Sequence, residues 1–209
     1  MSTFLPMFPL SLVVYPGEKL NLHIFEERYQ QLVNESLETG QSFGIPTFLG
    51  NKLADFGTEV KVAALHQRYE DGQMDISTQG IRTFKLDDFQ NPVAGKLYAG
   101  GDVTFQPEYT DLESASSILI HLLETLYGLL ATPVEYDIEK SPFSFQIAHK
   151  VGLAVEEEYK LLTLQRESER QDFLIQHLQK VIPIVTEMEQ TKNRIRMNGH
   201  FKNLDPLNF

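Results

Sequence analysis

The hydrophobic period changes once along this chain, and that change constrains the fold more than any other feature. Up to about Glu108 the apolar residues fall in short runs that often alternate. Leu20, Leu22 and Ile24 alternate with Asn21 and His23, and Val60 and Val62 with Glu59 and Lys61. This is the two-residue repeat of half-buried strands. After Glu108 the apolar residues recur every three to four positions, as on helices that bury one face. The spacing therefore predicts an α+β protein in two parts: a β-rich subdomain over residues 1–108 and an α-helical bundle over residues 109–209.

Turn chemistry divides the first part further. Pro16-Gly17 is a turn dipeptide between two strands. Val60–Tyr69 and Gln73–Thr78 flank Glu70-Asp71-Gly72 and read as a hairpin, because Asp-Gly supplies the positive φ of a tight turn. Gly80 marks a bulge before Ile81–Leu86. Phe43–Leu49 and Gly95–Phe105 are further strands, and together these short strands suggest a small barrel or sandwich. One helix interrupts them, from Glu26 to Thr39, with Phe25, Tyr29, Leu32, Val33 and Leu37 on one face and Gly40 as C-cap.

In the second part, Thr110-Asp111-Leu112-Glu113 matches a capping box. The helix after it buries Ile118, Leu119, Leu122, Leu126 and Leu129 and ends at Thr132-Pro133. Ser141-Pro142 starts another helix, with Ser as N-cap and Pro at the first position, and Gly152 closes it. Glu156–Leu164 forms a third. Ser168-Glu169-Arg170-Gln171, a second capping box, opens a long helix to about Met197, kinked at Pro183 and stopped by Asn198-Gly199.

The chemistry is defined largely by exclusion. There is no cysteine, hence no disulfide, thiolate metal site or thiol nucleophile. The histidines at 23, 66, 121, 149, 177 and 200 contain no pair spaced four apart, so no helix presents two imidazoles to one metal. Phosphate-binding loops and nucleophile elbows are missing as motifs. No cofactor or metal is expected. Glu156-Glu157-Glu158 and Lys192-Asn193-Arg194-Ile195-Arg196 sit at a helix start and a helix end, where the dipole favours each sign. The net charge of −11 opposes nucleic-acid binding. No apolar stretch reaches the roughly 18 residues of a membrane span, and Met1-Ser2-Thr3-Phe4-Leu5-Pro6 lacks a basic leader, so a cytoplasmic protein is expected.

The N-terminal segment carries a connected pattern: Phe8-Pro9-Leu10, then Tyr15-Pro16-Gly17, then Ile24-Phe25-Glu26 with Arg28-Tyr29, and later Phe43-Gly44. It closely resembles the N-terminal substrate-binding domain of the Lon ATP-dependent protease family. Gln79-Gly80-Ile81-Arg82-Thr83-Phe84-Lys85-Leu86 is similar to the family's Gly-x-x-Arg-Phe strand. The resemblance implies a PUA-like β pseudobarrel with one helix, followed by a C-terminal helical bundle. It also implies recognition of unfolded substrate segments. The ATPase and Ser-Lys protease modules that follow this region in Lon have no counterpart here, so the chain is expected to be non-catalytic.

The expected function is thus a binding module for exposed apolar or extended polypeptide. Two alternatives stand beside it: a PUA-like RNA-binding protein, as such barrels are elsewhere, and an enzyme with a cleft between the subdomains. A peptide-binding face needs apolar side chains that folding leaves partly exposed. The aromatic residues near loop ends of the β-rich part, Tyr69, Phe89 and Tyr98, are the candidates.

Overall fold

The computed structural model describes residues 2–107, 113–140 and 142–200, the side chains of 197–200 excepted. It is an α+β structure whose described residues separate into two compact units: Met1–Leu112 with Gly152–Arg166, and Glu113–Val151 with Glu167–Phe209. No described helix is long and apolar enough to cross a membrane.

The first unit contains β1 (Thr3–Met7), β2 (Lys19–Ile24), α1 (Glu27–Thr39), β3 (Phe43–Leu49), β4 (Lys52–Arg68), β5 (Met74–Leu86) and β6 (Ala99–Phe105). The strands form one six-stranded sheet in the order β2-β5-β4-β3-β1-β6, and β5 also pairs with β6. The pairings through β5, β4, β3, β1 and β6 therefore run in a circuit. β2 lies on the early half of β5, with Ile24 opposite Met74, and β6 on its late half, with Phe84 opposite Phe105. Among the described strands only β1 and β3 are parallel, and the Leu10–Thr47 bridge continues that pairing. Long apolar side chains fill the interior, among them Phe8, Ile24, Tyr29, Leu32, Phe43, Val60 and Met74.

Four local expectations are met. The β4–β5 hairpin turns at Gly72, whose φ is 87°. Glu59 pairs with Arg82 and Val60 with Gly80, which leaves Ile81 as the extra residue of a bulge. Gly17 has φ of 82°, and its turn docks on that bulge: Gly17 N–H donates to the Gly80 carbonyl at 3.0 Å, and Gly80 N–H to the Glu18 carbonyl at 2.8 Å. A Cβ on Gly80 would run into the Tyr15 carbonyl oxygen. α1 ends as expected at Gly40, with φ of 72° and its N–H on the Ser36 carbonyl.

Other expectations are revised. The strand predicted to begin at Gly95 begins at Ala99, because Gly95 is itself a turn residue with φ of 76°. The short helix α4 (Val155–Thr163) packs within the first unit. Tyr15 Oη donates to the Glu158 carbonyl at 3.0 Å, and Phe56 N–H donates to Tyr159 Oη at 3.1 Å.

The second unit is built from α2 (Ser117–Leu130), α3 (Phe143–Ile147), a 3-10 turn at Ala148–Lys150, and α5 (Glu167–His200). The first capping box and the Ser141 N-cap lie on or against residues outside those described. α2 starts at Ser117 and buries Leu119, Leu123 and Leu126. Ile118, expected inside, is 59% exposed, since it falls about 100° round the helix from that face. α5 starts one residue before the second capping box. Glu167 and Arg170, with no exposed side chain, are paired at 2.9 Å. Glu167 also accepts from Ser144 N–H and Oγ at 2.8 and 2.6 Å and from Gln171 Nε2 at 3.0 Å. Gln171 is spent there, on the Ser116 N–H and on the Ser114 carbonyl. Pro183 lies inside α5, which continues through Asn198-Gly199 to His200.

Candidate functional site

Two segments of the N-terminal motif, Phe8-Pro9-Leu10 and Ile24-Phe25-Glu26 with Arg28-Tyr29, converge on one cleft of about 440 Å³ in the first unit. Two pairings bring them together. After β1 the chain stays beside β3: Phe8 N–H donates to the Gly44 carbonyl at 2.8 Å and Phe48 N–H to the Leu10 carbonyl at 2.7 Å. This holds Phe8-Pro9-Leu10 against Phe48. The β2–β5 pairing places Leu22, His23 and Ile24 on the other side, where the chain passes through Phe25 into α1. Phe89 and Asn91, from the connection between β5 and β6, complete the lining.

The floor is an aromatic stack. Phe8 and Tyr29 lie with ring centroids 3.8 Å apart, and the Arg28 guanidinium sits 4.6 Å from the Tyr29 centroid. Arg28 also donates to Glu26 from Nε at 2.9 Å and from Nη2 at 2.7 Å. Glu26 occupies the N-cap of α1, yet its carboxylate makes no cap hydrogen bond. It instead orients Arg28 over the ring. Burial raises the Tyr29 hydroxyl above the usual tyrosine range.

Phe25 differs from its neighbours. Expected on the buried face of α1, it is 62% exposed. The strand alternation of β2 explains this: Ile24 points inward, so Phe25 points out with His23, and their rings lie 6.2 Å apart, near parallel. The result is a mostly apolar cleft with one large, uncovered aromatic ring at its edge and Glu26, Arg28, His23 and Asn91 as polar lining.

His23 is held from both ring nitrogens, by Asp75 Oδ1 at 2.7 Å on Nδ1 and Gln73 Oε1 at 2.9 Å on Nε2. Gln73 Nε2 donates to Asp71 Oδ2, so its oxygen faces the imidazole and both ring nitrogens must donate. The ring is thereby favoured as a cation. The Asp75 hydrogen bond holds the His23 pKa above, and His23 holds the Asp75 pKa below, their usual ranges.

The three residues expected from the sequence are placed differently. Phe89 lines the cleft and packs on the small cluster of Leu5, Met7, Phe84, Ala99 and Val103. Tyr69 is 39% exposed and stands beside the cleft rim, its ring 6.0 Å from and nearly perpendicular to that of His23 and its hydroxyl donating to Asp75 Oδ2 at 2.7 Å. Tyr98 is 4% exposed and belongs to the core, with its hydroxyl donating to Glu35 Oε2 at 2.6 Å. It offers no contact area. Glu35 also receives Lys96, and these two donors hold its carboxyl below the usual range.

Phe8, Leu10, Phe25 and Phe48 were not singled out as binding residues by spacing. The signal for Phe25 was present in the alternation after Leu22 and Ile24. Among the described residues no group of three or more histidine, aspartate and glutamate side chains could hold a metal ion. The Glu167–Ser144–Arg170 cluster is fully buried and has the makings of a packing strut.

No curated protein matches the chain. Among solved structures it is similar to the crystal structure of a Lon N-terminal domain protein from Xanthomonas campestris, at 26% identity and a TM-score of 0.67, covering 83% of this chain and 97% of that one. The N-terminal domain of Mycobacterium avium complex Lon protease shares the fold at 14% identity and a TM-score of 0.63, over 85% of this chain and 98% of that one. The family model for the ATP-dependent protease La (LON) substrate-binding domain matches residues 4–180, which include every residue of the cleft, and the chain belongs to that family.

Proposed function

We propose that the chain is a non-catalytic module that binds exposed apolar or extended polypeptide in the cleft between Phe8-Pro9-Leu10 and Phe25. The observation that carries this reading is Phe25, a large aromatic left uncovered beside a preformed apolar cleft, since exposed aromatic surface rimmed by polar groups marks interaction sites. The floor binds an apolar side chain, Phe25 and Phe89 close on its flanks, and Tyr69 extends the rim. The family's substrate-binding description supports a polypeptide ligand. The one guanidinium in the lining, Arg28, is already paired with Glu26, which favours an apolar ligand over a phosphate backbone.

The circuit of strand pairings supports a PUA-like pseudobarrel, and the packing of α2 on α5 supports a helical bundle, with subdomains divided near residue 108 and the Gly152–Arg166 segment returned to the first. The lack of cysteine is in keeping with a cytoplasmic protein.

The test is NMR mapping with isotope-labelled protein. Titration of a permanently unfolded polypeptide should shift the amides of Leu10, His23, Phe25 and Phe89 in a saturable way. No saturable binding, shifts confined to another surface, or equal shifts with single-stranded RNA would overturn the proposal.

A further inference from the structure

The second half of α5 carries an apolar stripe that is left exposed among the described residues. Ile184, Met188 and Ile195 are 58%, 64% and 67% exposed, and Thr191 lies between them. Among the described residues, no α5 side chain after Leu178 is buried. Ile184, Met188, Thr191 and Ile195 line a shallow concavity of about 530 Å³ together with Glu187 and Lys192. The stripe lies beyond residues 4–180, the part matched by the family.

The spacing from 184 to 188 to 191 to 195 is four, three, four. That is the 3.5-residue repeat of a coiled-coil seam, with Met188 and Ile195 at a positions and Ile184 and Thr191 at d. Such a seam keeps facing a parallel or antiparallel partner helix over its length, about 17 Å at 1.5 Å per residue. In this register Glu187 and Arg194 are g positions and Lys192 is an e position. In a parallel pair, g contacts e of the partner's next heptad, which sets Glu187 against the second copy's Lys192. In an antiparallel pair the g flanks meet, which sets Glu187 against the second copy's Arg194, and Met188 packs across from Thr191. Glu187 meets a cation in either orientation. Lys192 pairs at 3.1 Å with Glu189 of its own helix, in a contact that leaves the lysine 73% exposed. An exposed ion pair of this kind is readily exchanged.

We propose that this stripe pairs with the same stripe of a second copy of the chain, forming a homodimer through a short two-stranded coiled coil. Self-complementary charge on one patch is what a two-fold interface requires. Four layers make a small interface, so association is weak and depends on concentration. A dimer of this kind presents two polypeptide-binding clefts together and raises avidity for a long unfolded chain.

The experiment is sedimentation velocity on the whole chain from low to high micromolar concentration. The weight-average mass should rise from 23.9 kDa toward twice that value. Met188→Glu alters an exposed side chain, so it should leave the circular dichroism and thermal melt unchanged while weakening dimerisation at least tenfold. Glu187→Lys should weaken it several-fold. Rescue by Lys192→Glu marks a parallel pair, and rescue by Arg194→Glu an antiparallel one. A wild-type monomer throughout overturns the proposal, including the case in which association appears only after removal of residues 201–209, because the stripe is then covered by the chain's own tail. Association untouched by Met188→Glu, or Glu187→Lys rescued by neither partner change, overturns it as well.

Discussion

Replacing Phe25 by Ala separates binding from folding. The side chain is 62% exposed, and an aromatic side chain presents about 150–250 Å². Roughly 125 Å² is thus still open to water and available to a ligand, which at about 25 cal/mol/Å² caps the binding contribution near 3 kcal/mol. Ordering and association costs absorb part of that. The expected loss is about 1.5–2 kcal/mol, a factor of roughly 10–30 in Kd. The stability change should stay within about 0.5 kcal/mol, because the ring packs on little within the fold. Phe8→Ala is the contrast: at 6% exposure and stacked on Tyr29, it should destabilise by about 3–5 kcal/mol. The assay is fluorescence anisotropy of a labelled, carboxymethylated unfolded polypeptide titrated with each variant, alongside urea unfolding. An unchanged Kd for a folded Phe25→Ala variant would refute the site. A Phe25→Ala variant that loses several kcal/mol of stability would refute the separation of roles.

Gly17→Ala should destabilise by about 1 kcal/mol or more in urea unfolding, because its φ of 82° is strained for any L side chain. Glu167→Ala removes the buried partner of Arg170 and should cost about 3–5 kcal/mol in the unfolding of the second unit, whereas the double change to Met at both positions should cost far less than the two single changes added together. The His23–Asp75 pair makes stability depend on pH at both ends. His23 is raised, so its contribution is complete below the unfolded histidine pKa of 6.5 and disappears as pH rises through the higher folded value. Asp75 is lowered, so its contribution is complete above the unfolded aspartate pKa of 3.8 and disappears as pH falls through the lower folded value. NMR titration of the His23 ring should show the raised pKa, and Asp75→Asn should bring it down.

What could be read from the sequence was whatever depends on neighbours along the chain. Gly17, Gly40 and Gly72 announce turns because their positive φ is a local requirement, and the alternation around Leu22 and Val60 announces strands for the same reason. What could not be read depends on pairing at a distance. The parallel contact of Met7 with Gly44 sets Phe8 beside Tyr29, and no spacing encodes it. Tyr98 has the loop-proximal setting of an exposed aromatic but is buried, because the Glu35 carboxylate on α1 reaches its hydroxyl. Arg170 reads as part of a capping box and Glu167 carries no signal of its own; Ser144, on another helix, lets both be buried.

The motif that reveals the family therefore mixes two kinds of residue. In Ile24-Phe25-Glu26 with Arg28-Tyr29, four side chains have a role within the fold. Ile24 is in the core, Tyr29 stacks on Phe8, Arg28 covers Tyr29, and Glu26 fixes Arg28. Phe25 alone has no comparable partner: its nearest ring is His23, at 6.2 Å, and most of its surface meets water. A residue that packing does not require, set at the mouth of a cleft that packing has already formed, is where a ligand contributes most. If polypeptide binding resides in this unit, Phe25 should account for more of it than any other residue of the motif. The other four should fail in stability assays before they fail in binding assays.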